Sequence, residues 1–256
     1  MLSVLQIADS INAPMWASMR VIGLVLIAPV LGAVFAPARV RVVIAVVLSV
    51  AMLPAVQSIP EYSPLSALGI LTVLQEIVLG LAIGFAMMLA VEAAVFAGQV
   101  ISTGMGLSFA TVVDPQMGNI PLLGRLYVIV ATLLLLAMDA HLALIDIVAQ
   151  SYALIPIGSG GIDAGAARYL VEFAQVLFTG AMQLALPSVV AILMVNIAFG
   201  VISRAAPTLN LFAVGFPISM TMGFVVLIFA VRGNAPIWTA QFERALTAIG
   251  QLLGGG

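Results

Sequence analysis

Apolar positions dominate this chain so heavily that its organisation is read from where the apolar runs stop. Six long runs stand out: Pro14 to Val34, Val42 to Val56, Leu65 to Phe96, Leu122 to Val148, Tyr169 to Ile202 and Leu209 to Val231. Ahead of them, Leu2, Leu5, Ile7, Ala8 and Ile11 recur at roughly helical spacing. That predicts a short amphipathic helix over 1–12, with Asn12 and Pro14 as the cap and first turn of the next helix. After the runs, Trp238, Phe242, Leu246, Ile249 and Leu253 recur at intervals of four, four, three and four, with Gln241, Glu243, Arg244, Thr247 and Gln251 on the other faces. This predicts an amphipathic helix over 237–253 lying on a membrane or a partner, with Trp238 as an interfacial anchor.

The runs differ in length. A membrane-crossing helix takes about 20 residues. The second run is short for that. The third and fifth are too long for one simple span, so they are expected to tilt, break or project from the bilayer. Pro29 is expected to kink the first run. Gly180, Pro187 and Asn196 are candidate break or hydrogen-bonding positions in the fifth, and Pro217 lies inside the sixth. Phe35 to Arg41 reads as a tight connection that makes a helical hairpin of the first two runs. Ile155 to Asp163 reads as a Pro/Gly/Ser turn region. Six runs predict both termini on one side, but the arginines divide too evenly between the connections to orient the chain. The predicted fold is all-α: a polytopic membrane protein of long broken helical hairpins. It forms a single membrane-embedded domain over 1–256, with hairpins at 1–103 and 122–236 around a central loop at 104–121.

Composition agrees. The chain has 256 residues, 64% hydrophobic and 7% charged, with mean hydropathy +1.28, where a soluble domain carries about 25% charge. Net charge is −2, which does not suggest a nucleic-acid partner. No positively charged region precedes the first run, whose first basic residue is Arg20, so that run is expected to stay in the mature protein. Cysteine and lysine are both absent and His141 is the only histidine. A P-loop needs lysine. Zinc and haem sites need more histidine or cysteine than this. No nucleophile stands at motif spacing from His141. The expectation is a non-enzyme without cofactor.

A few polar positions interrupt the apolar runs. Arg20 lies inside the first; an arginine at mid-bilayer costs about 2.5–3.5 kcal/mol on insertion scales, so it is expected to face protein or water, or to snorkel to a near surface. Gly80 and Gly84 form a Gly-x-x-x-Gly pair that permits close helix approach, a common and therefore weak signal. Glu76, one turn earlier, and Glu92 read as carboxylates facing an interface. Asp139 and Asp146, seven apart on one predicted helical face, could form a proton relay with His141. Placement at a helix end is favoured, because the apolar block Val128 to Met138 stops just before them.

The central stretch is Gly104 to Pro121. Gly104, Gly106 and Gly118 relax the backbone, and Pro115 and Pro121 interrupt it. Yet Met105, Leu107, Phe109, Val112, Val113, Met117 and Ile120 are apolar. Irregular backbone is tolerated at membrane depth only where protein buries it or it lines a cavity. The stretch is therefore either a buried connector or a mobile constriction in a conduit. Three classes follow: an ion-coupled small-solute transporter using Arg20, Asp139 and Asp146, a subunit of a protein-conducting assembly, or a structural membrane subunit.

Gly-Leu-Ser-Phe-Ala-Thr-Val-Val-Asp-Pro at 106–115 resembles the central signature of the FliR family of flagellar type III export-gate proteins. Met19-Arg20-Val21, Ala28-Pro29-Val30-Leu31, Pro37-Ala38-Arg39-Val40-Arg41, Ala205-Ala206-Pro207 and Gly215-Phe216-Pro217 extend the resemblance in family order. The resemblance implies one subunit assembling with several copies of FliP and FliQ into a helical export gate, with FlhB and FlhA nearby. It implies unfolded exported proteins as substrate, the bacterial inner membrane at the flagellar basal body as location, and a fold like that of fused FliP and FliQ that can sit lifted from the bilayer plane. By matching position, Gly104, Met105, Gly106, Leu107, Phe109, Val112, Val113, Asp114 and Pro115 would plug the closed pore. Injectisome homologues share the fold, so the choice of system stays open.

Overall fold

The computed structural model describes residues 4–32, 37–107, 122–205 and 215–254. Its helices are α1 (Val4–Ile27), α2 (Ala38–Met52), α3 (Ala67–Gly104), α4 (Leu122–Ala137), α5 (Ala140–Leu154), α6 (Ala164–Phe173), α7 (Gln175–Ala205), α8 (Phe216–Gly233) and α9 (Ala235–Gly254). No strand occurs among the described residues. The protein is an all-α polytopic membrane protein, as its apolar runs predict. Among the described residues, Ala38–Ala55, Ala67–Gly104 and Ala164–Ala205 are each long and apolar enough to cross a membrane, and the bent pairs α4–α5 and α8–α9 add up to two more.

Several boundaries differ from the sequence expectation. There is no break at Asn12 and Pro14: α1 passes through Pro14. A proline removes one backbone bond, a loss that α1 absorbs. Pro29 ends the helix rather than kinking it. The residue before a proline is driven out of helical geometry, α1 stops at Ile27, and Val30 in the following turn takes a positive φ of 68°. Arg39 and Arg41 stand in the first turn of α2, not in a connection, and Pro37 is the N-cap. At 38 residues α3 is unbroken, about 57 Å long against a hydrocarbon core of about 30 Å.

The fourth run is two helices, α4 and α5, bent by 64° at Met138 and Asp139. In the fifth, Gly180, Pro187 and Asn196 do not break the helix: α7 runs through all three, Asn196 is a hydrogen-bonding position that accepts from Ser219 Oγ at 2.9 Å, and the interruption falls at Ala174. Pro217 opens α8, where its missing N–H has no helical acceptor to lose. The last helix, α9, is not laid on a surface. Trp238, Phe242, Ala245, Ile249 and Leu253 are buried within the fold, and Gln241 with them.

The chain divides into two interleaved compact units. The first comprises Met1–Leu89, Leu135–Ala174 and Phe242–Gly256; the second comprises Ala90–Leu134 and Gln175–Gln241. In the first unit α2 packs on α1, and α1 crosses α3 at glycines. A Cβ on Gly80 would strike the Arg20 carbonyl, and one on Gly84 would come within 2.7 Å of Ile27. The Gly-x-x-x-Gly pair does bring two backbones together. In the second unit Gly98 of α3 approaches the start of α4, where a Cβ would come within 2.6 Å of the Leu123 carbonyl. Phe96 and Phe178 meet edge to face at 5.9 Å, Tyr127 and Trp238 pack with ring centroids 5.4 Å apart, and the Asn234 amide donates to the Leu184 carbonyl at 2.9 Å.

Burial is uneven. The most apolar window of α3 is 67% buried, against 11% for Ala38–Ala55 and 17% for Ala164–Ala205. α3 is thus enclosed by the chain's own helices, while α2 and α6–α7 offer apolar flanks outward.

Candidate gate segment and buried charge cluster

The central stretch leaves α3 through a well-formed stop. The Leu107 N–H donates to the Ser102 carbonyl and the Gly106 N–H to the Thr103 carbonyl, both at 3.0 Å, and Gly106 takes φ 74°. This is the Schellman arrangement, with glycine at the left-handed position. Gly104 has a different part. It is the last helical residue, and a Cβ there would meet only Ile192 at 4.0 Å. Met105 is buried, its side chain lying against the backbone of Gly223 in α8, where a Cβ would come within 2.6 Å of the Met105 methyl. The segment therefore starts from a fixed point: one side chain locked under a neighbouring helix and one glycine that turns the chain. Phe109, Val112, Val113, Asp114 and Pro115 lie outside the described residues, as does Gly118.

The other concentration of polar chemistry lies in the first unit, where α1, α3 and α5 meet. Arg20 is wholly buried and Glu76 is 2% exposed. The Arg20 Nε donates to Glu76 Oε2 at 2.8 Å, Nη1 to Ser151 Oγ at 2.7 Å, and Nη2 to the Ile155 carbonyl at 2.8 Å. The guanidinium carbon sits 4.2 Å from the centroid of the Tyr152 ring, a cation–π distance. Tyr152 in turn donates to the Ala17 carbonyl at 2.7 Å, and Ser151 to the Val148 carbonyl at 2.6 Å. The close approach at Gly80 makes this possible, since it lays the α1 backbone at Arg20 against α3 one turn from Glu76. Arg20 therefore faces protein and does not snorkel. Glu76 was missed as its partner, although its place one turn before Gly80 was the available signal.

The relay arrangement does not form. Asp139 is exposed, outside the helix, at the N-cap of α5 with φ 54°, so the helical register that would align it with Asp146 does not apply. Asp146 is exposed and accepts from Gln150 Nε2 at 2.7 Å. His141 is half-buried and its Nδ1 has no partner among the described residues.

These features define a class: a polytopic helical membrane protein whose buried Arg20 and Glu76 neutralise each other inside the chain and whose α2 and α6–α7 leave apolar flanks uncovered. Residues 11–245 match the family described as "Bacterial export proteins, family 1", and the chain belongs to that family. It is 31% identical over 246 residues to the "Flagellar biosynthetic protein FliR" of Escherichia coli (strain K12), covering 95% of this chain and 93% of that one. It is 34% identical over 219 residues to the protein of the same name from Pectobacterium carotovorum subsp. carotovorum, covering 83% and 81%. With the Caulobacter vibrioides protein of that name the identity is 30% over 230 residues, covering 89% and 91%.

Proposed function

We propose that the chain is a non-catalytic subunit of a flagellar protein export gate in the bacterial inner membrane. With FliP-type and FliQ-type subunits, and next to FlhB-type and FlhA-type proteins, it forms a conduit for unfolded exported proteins. The stretch at 104–121 closes the conduit at rest. The carrying observation is that the family match runs from residue 11 to residue 245, and relatives bearing the FliR name align over about nine-tenths of their own length.

Physical features support the same reading. Ala164–Ala205 extends over 42 residues with little of its apolar surface buried. α7 alone, at 31 residues and about 47 Å, is longer than the hydrocarbon thickness of about 30 Å, and protein neighbours would cover what lipid cannot. The transporter reading needed unpaired charges lining a path, whereas Arg20 is sealed and Asp139 and Asp146 are exposed. For the plug, an apolar constriction excludes water and ions and opens by moving aside. The turn at Gly106 and the seat of Met105 give such a segment a fixed hinge.

The test is to delete Leu107 to Val113, or to replace both Phe109 and Val113 by Gly, and measure membrane conductance and complex recovery on the same variant. The expected result is an assembled complex that leaks small ions. An assembled complex without added conductance overturns the plug, and lost assembly marks the stretch as a buried connector.

A further inference from the structure

A groove of about 760 Å³ lies between α1 and α2, in the first unit. Pro14 to Leu26 line it on α1 and Ala38 to Val50 on α2, so it runs about 18 Å along each helix. One leaflet of a bilayer's hydrocarbon core is about 15 Å deep. The groove's wall is almost wholly apolar. Its two serines make no demand on an occupant: Ser18 donates to the Met15 carbonyl and Ser49 to the Ala45 carbonyl, both at 2.6 Å. One polar group is unspent. Arg41 lines the groove, and its Nε is shut off from solvent with no hydrogen-bond partner among the described residues.

The charge at that end calls for an anion. Arg39 and Arg41 occupy the first turn of α2, which holds no acidic residue and has no side-chain cap from Pro37. Positive charge there opposes the helix dipole, whose N-terminus favours anions. Among the described residues no carboxylate pairs with either arginine. Shape limits the occupant further. A single acyl chain extends along such a length without polar groups to satisfy, whereas the wall offers a polar partner only at the Arg41 end.

We infer that this groove holds one acyl chain of an anionic phospholipid, with the lipid phosphate on Arg41. Arg39 is exposed on the same turn and adds charge in the headgroup layer. The lipid supplies both things the groove lacks, an apolar filling of one-leaflet length and an anion at one end.

The test uses the full chain in complex with its membrane partners, reconstituted in phosphatidylcholine with or without phosphatidylglycerol. Lipid retained through a delipidating wash is read by native mass spectrometry. The wild type is expected to retain phosphatidylglycerol over phosphatidylcholine. Arg41→Gln should lower that preference about fivefold, the usual weight of one arginine at a lipid surface. Val46→Trp, which fills the groove from an outward position, should exclude both lipids while the complex elutes unchanged. A photo-crosslinker at Val42 should label lipid. Equal retention of the two lipids by the wild type, an unchanged preference in Arg41→Gln, or a crosslink to a protein subunit overturns the inference. So does stabilisation by inorganic phosphate alone equal to that by phosphatidylglycerol, because it would leave the apolar groove without a role.

Discussion

Arg20 and Glu76 should behave as one unit, and the structure gives the size of the effect. Replacing Arg20 by Met leaves the Glu76 carboxylate 2% exposed with no cation, and the Ile155 carbonyl without its donor. Removing one member of a buried pair costs about 3–5 kcal/mol. Replacing Glu76 by Met strands the guanidinium at similar cost. If the two were independent, the double variant would lose about 6–10 kcal/mol. It should instead lose about 1–2 kcal/mol, because no charge remains and the chief residual defect is one under-bonded carbonyl. Ser151 keeps its bond to Val148, and Tyr152 its bond to Ala17. Arg20→Lys should recover only part of the single loss, since one ammonium cannot reach the three acceptors that the planar guanidinium reaches together. The assay is an SDS-unfolding titration of the detergent-solubilised protein for wild type, both singles and the double. Additive losses, or an Arg20→Met variant as stable as wild type, would refute the reasoning.

Three further outcomes follow from particular contacts. Gly80→Leu should abolish recovery of folded protein by driving a side chain into the Arg20 carbonyl, whereas Gly200→Ala, with nothing within 4 Å, should leave thermal stability equal or about 0.5–1 kcal/mol higher. Gly106→Ala should cost about 1–2 kcal/mol at its positive φ while Gly106→Asn is better tolerated, and export measured in cells should follow the same order. Trp238→Ala should destabilise the fold by about 3–5 kcal/mol in detergent as well as in membranes, because the ring packs on Tyr127; an effect confined to membranes would restore the anchoring role first assigned to it.

Helix existence was legible in the sequence because each apolar run is long, and a run of that length in a chain with 7% charge has few alternatives to a helix in lipid. Breaks were legible only in part, because proline has opposite meanings by position. Pro217 starts α8, Pro14 and Pro187 are absorbed, and Pro29, Pro54 and Pro156 each follow a stop. Sequence spacing does not show which neighbours are present to hold a helix across one missing bond. The bend at Asp139 was hidden because an aspartate in left-handed backbone carries no distinct local pattern. Amphipathic spacing in α9 marked a face that is buried, but Gln241, assigned to the other faces, is buried with it, and the cover is the chain itself. Periodicity reports which side of a helix is covered and is silent on whether lipid or protein covers it.

The pairing of Arg20 shows the same limit from the other side. Its burial was foreseeable from the cost of a charge among apolar residues, but its partner lies 56 positions away, and only the crossing at Gly80 brings the two together. That crossing also separates the surfaces by use. Where α1, α3 and α5 meet, glycines bring backbones together, one charge pair sets the register, and side-chain hydroxyls satisfy stray carbonyls. Such a centre is specified by the chain alone and resists sliding, because any one-turn shift would strand Arg20. α2 and α6–α7 carry no comparable buried charge pair: the Arg168–Glu172 pair of α6 is exposed, and their exposed large apolar side chains are Val, Leu, Ile, Phe and Met. A carrier that rocks between two states would concentrate its buried polar groups at the moving surface, where they could exchange partners. Here the buried ion pair is fixed within one chain and the outward faces are largely apolar, a division suited to a subunit whose outer helices are covered by neighbours.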